Sequence, residues 1–142
     1  MQIRPMELKD LELVAVLAGQ LGYPTTLDQI LPRYQEVTGL SGLFVAESAG
    51  GDVVGWVQVN REAQNLVSEA RAEICALIVD ENHRGLEIGA QLVQAAEAWA
   101  REKNLDLVRV RSNVTRERAH KFYQREGYSI KKSWHLFVKN LL

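Results

Sequence analysis

The stretch Ala72-Glu73-Ile74-Cys75-Ala76-Leu77-Ile78-Val79-Asp80-Glu81-Asn82-His83-Arg84-Gly85-Leu86-Glu87-Ile88-Gly89-Ala90 reads as a strand, a loop and a helix start in succession. Ala72 to Asp80 is a near-continuous apolar run. Such a run suits a strand covered on both faces, at the centre of an α/β sheet. Ile88, Leu92, Val93, Ala96, Trp99 and Ala100 then follow helical spacing. A loop between a buried strand and a helix start gathers backbone N–H groups and the positive end of a helix dipole, which together bind phosphate. Gly85 and Gly89 let the backbone approach a bulky diphosphate, and Arg84 adds a cation. The same residues also fit an ordinary strand-to-helix turn with packing glycines. There is no G-x-x-x-x-G-K-[ST] and no G-x-G-x-x-G with an acidic ribose partner, so neither common nucleotide motif applies.

Outward from this stretch, the pattern predicts the order β-α-α-β-β-β-α-β-α-β-β, a mixed α/β layer structure. Gln2 to Arg4 reads as a first strand closed by Pro5. Leu8, Leu11, Val14, Leu17 and Leu21 predict a helix over 8–21, stopped at Gly22-Tyr23-Pro24. Thr26 with Gln29 is a capping-box start, and Pro32 predicts a kink or restart in the second helix. Leu43–Ser48 and Val53–Asn60 read as a hairpin about Gly50-Gly51-Asp52. Leu105–Arg111 reads as a strand. Thr115 to Glu126 reads as a helix, with Thr115 as N-cap and Gly127 as its stop. Tyr128–Lys132 and Trp134–Lys139 are expected as closing strands.

The 142 residues suit one domain over 1–142, and 46% apolar with 25% charged residues is a globular composition. Seventeen Lys and Arg against eighteen Asp and Glu offer no strong field for nucleic acid or an anionic membrane. No apolar run is long enough to span a bilayer, and the opening Met1-Gln2-Ile3-Arg4-Pro5 lacks a signal-type apolar region, so a cytoplasmic protein is expected. One cysteine, Cys75, excludes an internal disulfide framework and, inside an apolar strand, is expected to be buried as a small hydrophobe. His83, His120 and His135 lack metal-ligand spacing, so no metal is expected.

Arg84-Gly85-Leu86-Glu87-Ile88-Gly89 resembles the acyl-CoA loop of the GNAT (GCN5-related N-acetyltransferase) superfamily, whose pattern is [Q/R]-x-x-G-x-[G/A]. Ser112-Asn113-Val114-Thr115-Arg116-Glu117-Arg118-Ala119-His120-Lys121-Phe122-Tyr123-Gln124-Arg125-Glu126-Gly127-Tyr128 looks like that family's S-N-x-x-R-x-x-A-H-x-F-Y-x-x-x-G-[F/Y] variant. The two motifs stand in the family's order and spacing. The resemblance implies a single-domain GNAT fold: a mixed central β-sheet with a splayed cleft and helices on both faces. It implies acetyl-CoA as cosubstrate, its pyrophosphate held by main-chain amides from Arg84, Gly85, Leu86, Glu87, Ile88, Gly89 and Ala90, and its pantetheine arm pairing with Leu77, Ile78 and Val79. Asn113 and Arg116 join the cofactor contacts by the same matching. This sequence departs from the loop pattern at its fourth position, where Glu87 replaces a glycine.

Acetyl transfer needs a deprotonated amine, a stabilised thioester oxygen and a proton for the departing thiolate. Tyr123 matches the family's tyrosine near the CoA sulfur and is the candidate proton donor, with aromatic packing beside Phe122 as its alternative. Glu73 lies where a catalytic glutamate sits in the histone-acetyltransferase branch and is the candidate general base, with a merely solvated strand-end carboxylate as its alternative. Arg116, His120 and Tyr123 share one face at helical spacing. The resemblance implies an acceptor amine on a small molecule or peptide, attacked directly in a ternary complex. Tyr23, Tyr34, Trp56, Trp134 and His135 are candidate pocket walls. The competing reading is a non-catalytic acyl-CoA sensor with a degenerate loop at Glu87. A homodimer through the terminal apolar residues 134–138 is also expected, since that strand would otherwise be an exposed edge.

Overall fold

A computed structural model describes every residue except Leu86, Asn113 and Val114. The described chain forms two compact units, residues 1–110 and 111–142.

The first unit is a five-stranded sheet in the order β1-β2-β3-β4-β5. Its strands are β1 (Gln2–Pro5), β2 (Ser41–Glu47), β3 (Val53–Glu62), β4 (Arg71–Val79) and β5 (Val108–Val110). The first four are antiparallel neighbours and β5 joins β4 in parallel, so the sheet is mixed. Pro5 sits at the end of an edge strand, where its missing N–H costs no ladder bond.

Alternation along the strands buries both faces. Val45, Trp56 and Ile78 form one cross-strand row and pack with Leu11, Val14, Leu17 and Ala18 of α1 (Leu11–Gln20). Ile30, Leu31 and Tyr34 of α2 (Leu27–Val37) close over that cluster. Val57 and Val59 point to the opposite face, where α3 (Ile88–Glu102) lies. There the sequence has kept a position small: a Cβ on Gly42 would stand 2.7 Å from Val59 Cγ1 and 2.8 Å from the Trp99 ring. No side chain fits between β2 and the helix at that point.

Several expectations need correction. The helix expected over 8–21 begins as a short 3-10 turn, Leu8–Asp10, because the Asp10 carboxylate is drawn back to the Glu7 N–H and to Arg4. α2 runs through Pro32 without restarting. Proline there forfeits one backbone bond, and the capping box at Thr26 and Gln29 together with the apolar contacts of Ile30 and Leu31 holds the helix over it. Cys75 is exposed. The β3–β4 register pairs Gln58 with Ala76 and Val59 with Ile74, leaving Cys75 as the extra residue of a bulge, and a bulge re-aims its side chain.

The second unit holds α4 (Glu117–Arg125). Arg116, not Thr115, occupies the N-cap position, and its side chain makes no capping bond. Gly127 closes the helix as expected, at φ 96°. Tyr128–Lys132 and Trp134–Lys139 carry no strand. Apolar alternation alone does not make a strand, which needs a neighbour to take up its backbone groups.

Candidate active site

In the first unit, β4 and the head of α3 carry the residues expected at the cofactor. β5 pairs with β4 only at Ala72, Glu73 and Ile74, while β4 continues to Val79. β5 is paired along its whole length, and the parallel ladder covers only Ala72 to Ile74 of β4. From Ala76 to Val79, β4 keeps its partners on β3, with Leu77 opposite Val57, Ile78 opposite Trp56 and Val79 opposite Gly55. Leu77, Ile78 and Val79, on which the pantetheine arm was expected, lie along this stretch of β4.

After β4 the chain makes a 3-10 turn, Glu81–His83, and reaches Arg84 and Gly85. Gly85 has φ 87°, a left-handed conformation that glycine takes without steric cost, with open space where a Cβ would be. Glu87 is the N-cap of α3 and is also left-handed, at φ 62° and ψ 14°. That geometry gives the physical reason for glycine at this position in the family's loop. The N–H of Gln91 donates to the Glu87 carbonyl at 3.1 Å, so the amides of Ile88, Gly89 and Ala90 before it open towards the helix end. The cap residue makes no side-chain bond to them. A helix of 15 residues thus presents uncapped donors beside a cation, Arg84, which fits an anionic phosphate group. Arg84 and Glu87 are exposed and form no ion pair with each other. Leu86, expected in this loop, lies outside the described residues.

Glu73 is buried, not solvated. Arg109 of β5 donates to it, Nε to Oε1 at 2.8 Å, across a directly paired position of the sheet. Asn60 stands opposite on β3, where its Oδ1 accepts from Ser41 Oγ at 2.6 Å and Gln58 Nε2 at 3.2 Å. A polar row, Ser41-Asn60-Glu73-Arg109, therefore crosses four strands on the face that carries α1 and α2. Sequence reading missed this row because its members lie on different strands and only the register aligns them.

Cys75 is exposed, but its sulfur leans on the Gln58 carbonyl at 3.4 Å, and burial of the thiol group pushes it up to about 11. It stays a protonated thiol at neutral pH and a poor nucleophile.

In the second unit, Tyr123 packs edge-on against Phe122, with ring centroids 5.1 Å apart, and against Tyr128 at 6.0 Å. Burial raises its phenol above the ordinary tyrosine value, and the nearby Arg116 only partly opposes this. Arg116 and His120 fall one turn apart, with the His120 N–H donating to the Arg116 carbonyl at 3.1 Å. The Ser112 hydroxyl is buried without a hydrogen-bond partner among the described residues, a polar group of the second motif that the sequence reading did not single out. Asn113 lies outside the described residues.

Of the expected pocket walls, Trp56 and Tyr34 belong to the core, Tyr34 reaching the Met6 carbonyl at 3.4 Å. Tyr23 is 68% exposed on the connection between α1 and α2. Trp134 lies under the Arg111 guanidinium at 4.9 Å, and His135 packs near Phe137. Among the described residues no cluster of three or more His, Cys, Asp or Glu is placed to hold a metal, and no helix is long and apolar enough to cross a membrane.

The acetyltransferase (GNAT) family model matches residues 12–128, and the chain belongs to that family. It is 37% identical over 91 residues to the aminoalkylphosphonate N-acetyltransferase of Salmonella typhimurium, a match covering 64% of this chain and 58% of that protein. The chain therefore spans little more than half the length of this curated relative. Among solved structures, a transcriptional regulator from Bacillus halodurans C-125 matches with TM-score 0.83 at 25% identity, covering 97% of this chain and 99% of that one. AAC(6′)-Iy, in complex with the bisubstrate analogue CoA-S-monomethyl-acetylneamine, matches with TM-score 0.87 at 19% identity, covering 98% and 97%. The fold is the mixed-sheet acetyltransferase fold, with helices on both faces of the sheet.

Proposed function

We propose that residues 1–142 form one N-acetyltransferase domain that moves the acetyl group of acetyl-CoA to a primary amine of a small molecule or peptide. The observation that carries this reading is the uncapped head of α3, which follows strand β4 through a left-handed glycine. The family membership, and neighbours whose names specify N-acetyltransferase activity or a CoA analogue, support it. Arg84 and the amides of Gly85 to Ala90 would hold the pyrophosphate, and Leu77, Ile78 and Val79 the pantetheine arm. Asn113 and Arg116 complete the cofactor contacts by motif match alone.

In the proposed reaction the amine nitrogen attacks the thioester carbonyl directly, the C–S bond breaks, and the thiolate takes a proton. Tyr123 is the proposed donor. Its burial keeps the phenol protonated through neutral pH and above the ordinary value of 10. Glu73 is the proposed proton acceptor. It begins from an ion pair, so Arg109 competes for the lone pair that would take the amine's proton. An incoming ammonium on this face would be a second cation for the same carboxylate.

Release of free thiol from acetyl-CoA, read against a panel of amines that includes aminoalkylphosphonates and aminoglycosides, tests the reading. Amine-dependent release is expected, and none across the panel contradicts catalysis. Tyr123→Phe is expected to lower kcat by about 10²-fold, with CoA affinity unchanged. It should also remove a basic limb lying above pH 10. Glu73→Gln is expected to remove the acid limb. A variant that keeps its limb strips that residue of its role.

The left-handed Glu87 favours a second reading, a domain that binds acyl-CoA without turning it over. One structural neighbour carries the name of a transcriptional regulator. CoA binding without thiol release would select this reading. A homodimer belongs to either reading and rests on the exposed Leu136, Phe137 and Val138, not on a strand edge. Sedimentation as a monomer at tens of micromolar would contradict it.

A further inference from the structure

α1 ends against the first residues of the cofactor loop. Gln20, its last residue, uses both ends of its side-chain amide: Nε2 donates to Asp80 Oδ1 at 2.8 Å, and Oε1 accepts from the Glu81 N–H at 3.0 Å. The Asp80 N–H donates to the Val54 carbonyl at 2.8 Å, so Gln20 grips the chain where it leaves the sheet. The other Asp80 oxygen lies 2.6 Å from His83 Nδ1, and the His83 N–H donates back to the Asp80 carbonyl at 2.9 Å. The turn Glu81–His83 is thereby pinned at its first amide and at its last side chain, immediately before Arg84 and Gly85. Hydrogen bonds from Gln20 and then His83 hold the Asp80 carboxyl below the ordinary carboxylate value, so it keeps its charge through neutral pH.

On its other side Gln20 leads directly into Leu21, Gly22 and Tyr23. Gly22 turns the chain at φ 94°, and the Tyr23 N–H is tied back to the Ala18 carbonyl at 3.1 Å. This connection between α1 and α2 carries the exposed Tyr23, one of the expected acceptor-pocket walls.

We infer that Gln20 is a positioning residue that couples the cofactor loop to the acceptor-side connection, so that CoA bound at the loop orders residues 21–25. The inference rests on the proposed reading of the loop as the CoA site. Gln20 touches no reacting atom in this account. It transmits order because one rigid amide holds both the strand end and the helix end. Two exposed hydrogen bonds are individually modest, so the expected effect on CoA affinity is about 3- to 10-fold.

Gln20→Met keeps the length of the side chain and removes both polar ends. Titration with CoA should show about 3- to 10-fold weaker binding. Hydrogen exchange supplies a readout that loss of stability alone would not give. In the parent, saturating CoA should slow exchange at 21–25 and at 81–85. In Gln20→Met, saturating CoA should slow 81–85 only. Gln20→Glu sets a second carboxylate against Asp80 and should bind CoA more weakly than Gln20→Met at neutral pH. Adding Asp80→Asn should recover that difference, which guards against a variant that is merely misfolded. A parent that binds CoA, beside a Gln20→Met variant with equal affinity and the same slowing at 21–25, overturns the coupling and leaves the cofactor site standing. A parent that fails to bind CoA removes both.

Discussion

Two helix starts in this protein use the same ingredients, an arginine and an acid beside open backbone amides, and reach opposite results. Before α1, Arg4 places its fork on Asp10 with bonds of 2.8 and 2.9 Å, donates through Nε to Glu47 at 2.8 Å, and leaves Asp10 to accept the Glu7 N–H at 2.7 Å. Asp10 is 3% exposed and Arg4 side-chain exposure is 14%. Both charged side chains are occupied, although Asp10 as N-cap gives α1 no side-chain bond. At the head of α3, Arg84 and Glu87 are exposed, share no ion pair, and leave the helix without a side-chain cap. The first arrangement holds the fold, and a bound anion would have to compete with Asp10 there. The second leaves its donors open to one. What separates a structural cluster from a binding site is whether the polar groups already have partners.

The comparison breaks most sharply at Asp10. Asp10→Ala leaves the partly buried Arg4 with Glu47 at 2.8 Å and the exposed Glu7 at 3.9 Å, and should cost about 3–5 kcal/mol of stability, read by urea unfolding. Burial pushes the Asp10 carboxyl up, but the Arg4 fork and the Glu7 N–H outweigh it and hold the group below 3.8. Its contribution is therefore present above pH 3.8 and lost as pH falls through the lower folded value, and the acid-side loss should be smaller in the variant. A change below about 1 kcal/mol would show that this cluster is no more essential than an exposed pair.

Glu87→Gly acts on the open start. It removes a left-handed non-glycine residue, worth about 1 kcal/mol of stability. It also removes a carboxylate near the proposed phosphates, so CoA should bind several-fold tighter by calorimetry, with a smaller gain for pantetheine fragments that lack phosphate. Higher stability with unchanged CoA affinity would mean that the side chain points away from the ligand. Arg84→Ala is the mildest test. Stability should stay within about 0.5 kcal/mol of the parent, as for an exposed surface residue, while CoA affinity falls a few-fold. A loss of stability equal to that of Asp10→Ala would erase the distinction between the two starts.

Much of the first unit was legible in the sequence because its signals are local. The apolar run 72–80, the helical spacing after Ile88 and the capping box at Thr26 each specify their element from neighbouring residues. The candidate loop and Tyr123 were read from motifs alone. What escaped depends on register or on partners distant in sequence. Cys75 turns outward because β3 and β4 slip by one residue there. Glu73 loses its solvated character because β5 brings Arg109 alongside. The left-handed backbone of Glu87 was legible only as a departure from a glycine pattern, without the conformation that explains it. The two closing strands were read from alternation, which describes side chains and says nothing of where a backbone finds its neighbour.

The most direct test of the central claim is thermal unfolding of the parent protein across a CoA concentration series. Only the native state presents the amides of residues 88–90 in an open ring, so CoA should raise Tm continuously with concentration. The stabilisation should reach about 2.7 kcal/mol at one hundred times Kd. A Tm that does not move at millimolar CoA contradicts the account, because the open helix start would then hold no phosphate.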